Sequence, residues 1–386
     1  MAGVYIHIPF CRQACHYCNF HFSTSMRGRN DFIPALLKEM ESRTDYLGGE
    51  RVETIYFGGG TPSLLEPGEL QTILERVRAL FPVDAEAEAT LEANPDDITS
   101  SRLDAWRSAG INRLSIGVQS FYDEDLRWMN RAHDARQALD CIRLAKAAGI
   151  HNLSIDLIYG GPTLADNHWR RNVADAIALG VSHLSCYALT VEPRTALDKL
   201  IRRKAVTDVS PDDQARQFLL LMDWLGKAGY EHYEISNFAL PGRRSRHNSS
   251  YWQGKPYLGL GPSAHSFNGL SRQWNVANNA LYIAALNGQR PEQPGVGLPA
   301  GLVEGKEELT PVQQLNEYIL ISLRTMEGSS HQTVARRFGE QQATALWQKA
   351  ATYIRSGKIG DSAEVLRLTP AGKLLADGIA ADLFFE

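Results

Sequence analysis

Three thiols stand together near the start of the chain: Cys11, Cys15 and Cys18, spaced Cys-x-x-x-Cys-x-x-Cys. Thiolates are soft metal ligands, and a trio on one short loop can ligate three irons of a cubane iron–sulfur cluster. The fourth iron then has no protein ligand and is open to a bound molecule, as metal chemistry on that molecule requires. The competing reading is a structural zinc site completed by His7, His16 or His21. Zinc, however, is usually held by paired Cys-x-x-Cys sets with a longer spacer. The other two cysteines, Cys141 and Cys186, lie far apart, and an odd total of five fits a metal site in a reducing compartment better than a disulfide framework.

Other residues with chemical potential follow apolar runs. Gly58-Gly59-Gly60-Thr61-Pro62 comes after the run at 54–57; glycines there let backbone approach a ligand, or simply make a tight turn. Glu92 ends the run at 86–92, Gln119 follows that at 113–117, and Arg131 and Asp156 are read as lying at or just after strand ends. Singly, each is an ordinary polar residue at the end of a strand.

These residues need elements to hold them. Apolar runs at 4–8, 54–57, 86–92, 113–117, 153–159 and 183–189 read as six strands. They alternate with helical spacing at 31–47, 69–80, 101–109, 135–148 and 169–179, and a further helix is read at 210–229. Gly110 and Gly149 suit the left-handed position that closes a helix. Strict alternation without hairpins predicts an α/β fold with a parallel sheet and right-handed crossovers. A partial or full parallel (β/α) barrel is expected, and a doubly wound open sheet is the alternative that periodicity cannot separate. In such sheets the chemistry sits on loops after the C-terminal strand ends, where the cysteines, GGGTP, Glu92 and Gln119 all fall. Residues 242–305 are rich in Gly, Asn, Ser and Pro and read as mostly loop with some short elements. Helical spacing returns at 311–326, 332–338 and 341–356, before a short strand at 365–368 and a terminal helix from Pro370. The expected organisation is a barrel domain over 1–230, a loop-rich connection over 231–305, and a smaller, mainly helical winged-helix-like domain over 306–386.

Composition narrows the function classes. A formal charge of −4 offers no attraction for a polyanion, so no nucleic-acid partner is expected. With 44% hydrophobic and 22% charged residues the chain is an ordinary globular sequence. No apolar run reaches the roughly 18 residues of a membrane span. Residues 1–10 lack the charged-then-apolar order of a signal peptide, so a cytoplasmic location is expected.

The stretch YIHIPFCRQACHYCNF resembles the signature of the radical S-adenosylmethionine (SAM) superfamily, in which an aromatic residue, here Tyr17, precedes the last cysteine. More narrowly, the chain resembles the family of oxygen-independent coproporphyrinogen III oxidases (HemN) and their relatives, the heme chaperones (HemW). The likeness covers about residues 3–267 and continues more loosely to the end. It is carried by IYFGGGTPSLL, LEANPDD, GINRLSIGVQSF, NRAH, SIDLIYGGP, HNSSYW and YLGLGPSAHSF. The resemblance implies a barrel of radical SAM type with a 4Fe–4S cluster on Cys11, Cys15 and Cys18. It implies SAM beside the cluster, split after one-electron reduction into methionine and a 5′-deoxyadenosyl radical. It further implies SAM-binding positions at Tyr5, Tyr17, Gly59, Gly60, Thr61, Glu92, Gln119, Arg131 and Asp156, with Glu92 toward the SAM amino group or ribose.

Two departures separate the relatives. The oxidases carry a further cysteine two residues after the last cluster ligand; here that position is Phe20, as in the chaperones. The chain also opens ten residues before Cys11, without the N-terminal extension that covers the porphyrinogen in the oxidases. His247-Asn248-Ser249-Ser250-Tyr251-Trp252 fits the HNxxYW pattern associated with heme binding in the chaperones. His247, Asn248, Tyr251 and Trp252 are the expected heme contacts, Arg243, Arg244 and Arg246 the propionate partners, and His265 a rival axial ligand. The resemblance thus implies a chaperone that binds cluster, SAM and heme (or another tetrapyrrole) and passes heme to an acceptor hemoprotein, which could be membrane-bound. A homodimer is compatible with it. The alternative is a coproporphyrinogen dehydrogenase or another tetrapyrrole-modifying radical SAM enzyme, with a radical methylase further off. Whether the chain turns over a substrate is left open.

Overall fold

The computed structural model describes residues 1–288 and 299–386. Six strands, β1 (Ala2–Ile8), β2 (Val52–Gly59), β3 (Val83–Ala93), β4 (Arg113–Gln119), β5 (Leu153–Tyr159) and β6 (His183–Ala188), pair in parallel in chain order. A doubly wound sheet needs a reversal of strand order, and none occurs among these six strands, so right-handed crossovers bring the helices that connect them to the same face. The barrel is partial. Strands β7 (Glu231–Glu234) and β8 (Asn237–Ala239) extend the β6 edge, and β9 (Tyr257–Leu260), β10 (His265–Phe267), β11 (Ser271–Asn275) and β12 (Val303–Glu308) extend the β1 edge.

Register decides what each face carries. Side chains alternate along a strand, and the pairing aligns Val4, Ile6, Ile55, Phe57, Leu91, Ile116, Ile155 and Leu184 on the face beneath the helices. All are 1% exposed or less, and each such burial contributes about 1.5–3 kcal/mol. The other face carries Tyr5 and His7, Thr54 and Tyr56, Glu88 and Glu92, Arg113 and Ser115, Ser154 and Asp156, His183 and Ser185. Among the described residues the helix Arg246–Trp252 covers one end of it, and the rest forms a polar groove. This explains why these parallel strands alternate instead of reading as continuous apolar runs.

The helices begin and end where local chemistry places them. Pro67–Leu80 opens with a capping box between Glu66 and Glu69, and Ser100–Ala109 closes on Gly110 at φ 102°. The stretch read as mostly loop is more ordered than expected. It adds β9 in parallel register with β1, an antiparallel set β10–β12, and the helices Arg246–Trp252 and Asn279–Leu286. Elements of three to eight residues between glycine turns carry too few periods to be recognised. Residues 289–298 of that stretch lie outside the described residues.

One hydrophobic core runs from Ala2 to Leu302, and a second from Leu315 to Leu383. The second is built on helices Pro311–Leu323, His331–Phe338 and Glu340–Arg355, with a small antiparallel pair, Ser329–Ser330 against Val365–Leu366. Ile235 packs against both cores. Arg324 bonds the buried Glu234 through Nε (3.1 Å) and lies 5.2 Å over the Trp252 ring. Among the described residues no helix is long and apolar enough to cross a membrane.

Candidate functional site

The cysteine loop leaves the C-terminal end of β1 and is tied down at several points. Cys11 N donates to Ser23 O (3.0 Å) and Ser23 N to Pro9 O (2.9 Å), closing the loop at its base. Its middle is pinned by His16 N to Met129 O (3.1 Å) and by Leu197 N to His16 O (2.8 Å). Gln13 donates to Asn130, and Asn130 donates back to Ala14 O (2.7 Å). Asn130 stands at φ 57°, a left-handed position asparagine tolerates.

Two of the three sulfurs receive side-chain hydrogen bonds. Thr61 Oγ1 donates to Cys11 Sγ (3.3 Å), and Arg131 Nη1 donates to Cys15 Sγ (3.2 Å). Arg131 also donates to Asn94 Oδ1 (2.7 Å) and Gly117 O (2.8 Å), while its buried Nε has no partner. Without a metal, burial pushes the Cys11 thiol up to about 11, with the neighbouring thiols adding to the shift, and burial raises Cys18 likewise. A metal would offset that penalty, and an arginine and a hydroxyl on the sulfurs suit thiolate ligands.

The zinc alternative fares poorly. His7 is engaged by Tyr5 OH (3.1 Å) and His21 O (2.8 Å), His16 by Trp128 O (2.9 Å), and His21 by Asn279 Oδ1 (2.8 Å). Among the described residues no three His, Cys, Asp or Glu side chains converge as a single ion would need. The donor set fits a three-thiolate cluster.

Two of the groove's carboxyls, Glu92 and Asp156, are shifted upward. Burial pushes Glu92 up to about 7, opposed by a hydrogen bond from Tyr56 OH (2.7 Å), with Asp156 adding to the rise. Burial raises Asp156 to about 6, opposed by Ser185, Arg113 and Arg131. Two carboxyls so raised fit a cationic ligand such as an ammonium or sulfonium group, which would restore their charged forms. Tyr17 packs beside Leu126, Met129 and Ile158 at the groove wall. Gln119 is buried at φ 67°, a strained position next to an irregularity in the β4–β5 pairing.

Several expected positions differ in detail. Asp156 sits in the middle of β5 and not at its end. Arg131 lies beyond the helix Asp123–Trp128 and reaches the site by folding back onto the cysteine loop. Gly59 and Gly60 bring chain against chain: a Cβ on Gly59 would stand 2.5 Å from His7, and one on Gly60 2.7 Å from Phe10 O. Tyr5 stacks on Tyr56 and His247 within the groove (centroids 6.1 and 6.4 Å). Asn94 and Tyr56 were not singled out in the sequence. Asn94 is two residues beyond Glu92 in LEANPDD, so strand alternation was the signal that could have found it.

His247 lies inside the protein. It opens the helix Arg246–Trp252, capped by Ser245 Oγ accepting from Asn248 N (3.2 Å), and is 1% exposed. Its Nδ1 meets Thr54 Oγ1 (2.8 Å), its Nε2 meets Tyr251 OH (2.8 Å), and it stacks on Tyr56 (4.9 Å). Burial pulls it down to about 3. Both ring nitrogens are thus engaged inside the protein, and iron ligation by His247 would require breaking one of these two bonds. His247 plugs the groove at the N-terminal strand ends, where Glu88 accepts from the Arg246 (2.9 Å) and His247 (3.3 Å) amides. Arg244 is paired with Glu231 (3.0 Å) and Glu327 (2.7 Å), and Arg246 is bound to Glu86 O (2.7 Å). His265 is exposed and stacks on Trp274 (5.8 Å).

Comparison with known proteins gives concordant results. Residues 5–176 match the radical SAM superfamily, and residues 309–375 match the HemN C-terminal domain. The heme chaperone HemW of Bacillus subtilis (strain 168) is 32% identical over 381 residues, covering 98% of each chain. The heme chaperone HemW of Mycobacterium tuberculosis (strain ATCC 25618 / H37Rv) is 34% identical over 385 residues, 99% of this chain and 94% of that one. Among solved structures, coproporphyrinogen III oxidase (HemN) from Escherichia coli shares the fold, with a TM-score of 0.83 at 22% identity over 99% of this chain and 90% of that one.

Proposed function

The chain belongs to the HemW family within the radical SAM superfamily, and from that premise we propose that it is a heme chaperone, holding a 4Fe–4S cluster, SAM and heme and passing heme to hemoproteins. Cys11, Cys15 and Cys18 would hold the cluster, which when bound supplies one-electron chemistry to SAM at its open iron. Thr61 and Arg131 donate to the ligand sulfurs and fix the loop. Glu92, oriented by Tyr56, takes the ligand's ammonium group, and Asp156 supplies a second negative centre. Tyr17 and Gln119 wall the groove, and Gly59 and Gly60 let the loop seat against β1. The plug formed by His247 closes the far end of the groove.

One observation carries this reading: the thiol trio over a polar groove, its sulfurs already accepting from Thr61 and Arg131 while the nearby histidines are engaged elsewhere. Phe20, exposed where the oxidases have a cysteine, favours chaperone over oxidase. The proposal takes the location as cytoplasmic and lets the acceptor be membrane-bound, which cell fractionation and co-purification would test. It keeps the division 1–230, 231–305 and 306–386, with the middle segment serving to extend the sheet.

The test is anaerobic purification with reconstituted cluster, followed by heme titration, heme transfer to an apo-hemoprotein, and incubation with coproporphyrinogen III and SAM. Micromolar or tighter heme binding with transfer is the expected result. Conversion of coproporphyrinogen to protoporphyrinogen, or no heme binding at micromolar concentration, would overturn the proposal.

A further inference from the structure

The helix Arg246–Trp252 stands between the polar groove and the C-terminal core. Its inner residue, His247, closes the groove, and Trp252 at its end lies under Arg324 (5.2 Å). One side chain, Tyr56, separates His247 from the carboxyl of Glu92. The Tyr56 hydroxyl donates to Glu92 Oε1 (2.7 Å), and its ring stacks on His247 at 4.9 Å and 23°. His247 Nε2 in turn meets Tyr251 OH (2.8 Å), and the two rings stand edge to face (5.0 Å). Glu92, Tyr56, His247 and Tyr251 thus form an unbroken series from the groove carboxyl to the HNSSYW segment.

This series has little slack. A Cβ on Gly58 would stand 2.9 Å from the Tyr5 ring, 3.0 Å from the Tyr56 ring and 3.1 Å from Glu92 Oε1, so three side chains close on bare backbone. Tyr56 and His247 are both buried. A close-packed interior passes a displacement on, because no void takes it up. Tyr5 runs beside the series without joining it. Its ring stacks on Tyr56 (6.1 Å) and His247 (6.4 Å), but its hydroxyl turns to His7 Nδ1 (3.1 Å). Charge distinguishes two states of the series. A hydroxyl bonds a carboxylate more closely than a neutral carboxyl, and about twice as strongly. A cation at Glu92 favours the carboxylate, tightens the Tyr56 bond and steadies the stack on His247.

We propose that Tyr56 and His247 are positioning residues that couple the two ligands, so that SAM at Glu92 strengthens heme binding and heme strengthens SAM binding. The proposal rests on the heme-chaperone reading and goes beyond it, to what controls the hold on heme. Two sites linked in this way change each other's affinity by the same factor, because the coupling belongs to the pair. A factor of about five is expected, the low end of the usual range, since two side chains intervene. The carrier then grips heme while SAM is bound and loosens its hold when SAM leaves.

The test uses the full chain with reconstituted cluster under anaerobic conditions. Heme is titrated without SAM and with saturating SAM, and SAM without heme and with saturating heme. In the parent both ratios of dissociation constants should be about five. Tyr56→Phe keeps the ring but removes the bond to Glu92, so both ratios should fall to about one, whereas Tyr5→Phe should keep them near five. Cluster iron content and thermal melting check that each variant is folded. Should Tyr56→Phe fail that check, Glu92→Gln, which forms no carboxylate, decides by a heme ratio of about one at saturating SAM. A ratio of about one in the parent overturns the coupling and leaves the chaperone reading standing. Ratios kept in Tyr56→Phe, or lost equally in Tyr5→Phe, overturn the assignment to Tyr56. A parent that binds no heme removes the chaperone reading as well.

Discussion

Cys11, Cys15 and Cys18 differ in their surroundings although they share one loop. Cys11 accepts from Thr61 and Cys15 from Arg131. Replacing any one with Ala should abolish the brown absorbance of the reconstituted protein while leaving the thermal melt of the cluster-free chain within a few degrees, because the loop is held by backbone bonds at Ser23, Met129 and Leu197. Equal iron content in the variants and the parent would refute the ligand assignment. Glu92 gives a prediction in pH. Its folded-state value, about 7, lies above the ordinary 4.5, so the folded chain holds that proton more tightly than the unfolded chain. The ligand-free protein therefore loses stability as pH rises through about 5 to 7, and Glu92→Gln removes that loss. The variant should be more stable than the parent at pH 8, by about 1–3 kcal/mol, and alike near pH 4, in denaturant titrations. It should also bind SAM more weakly, and SAM binding to the parent near pH 6 should release protons.

At the scale of elements, two packings are decisive. The end of β2 is pressed against β1 so closely that a Cβ on Gly60 would stand 2.7 Å from Phe10 O and 2.8 Å from Ile8 O, both backbone atoms. Gly60→Ala should cost about 1–3 kcal/mol and lower cluster content, since the strand end must shift and carry Thr61 away from Cys11. Thermal melts and iron analysis would read both effects. The helix Arg246–Trp252 places His247 and Tyr251 four residues apart on one face, and that face closes the groove. His247→Ala leaves a void and unpairs the Thr54 and Tyr251 hydroxyls, so a loss of about 2–4 kcal/mol is expected. Heme binding should weaken while cluster iron is spared, and parent-like heme affinity in the folded variant would remove His247 from the heme contacts. HNSSYW by itself shows residue types but not which way a seven-residue helix turns them.

For the whole molecule, the C-terminal core is tied to the sheet through Arg324, which pairs with buried Glu234 and covers Trp252. Arg324→Met strands a carboxylate that retains only the Ser236 amide (3.0 Å) and Asn237 side chain (2.6 Å). A destabilisation of about 2–4 kcal/mol is expected, with partial recovery on adding Glu234→Gln, measured by denaturant unfolding.

The amino-acid order alone was enough for the thiol trio, the strand–helix alternation and the loops on which polar residues gather, because these depend on spacing within a few positions. Strand alternation also encodes the polar groove, in Glu92 and in Tyr56. What folding alone decided is which distant residues meet: Arg131 reaches Cys15 across 116 positions, and His247 turns inward to Thr54 across 193. Such contacts are set by the packing of whole elements, for which no local pattern of residues is a measure.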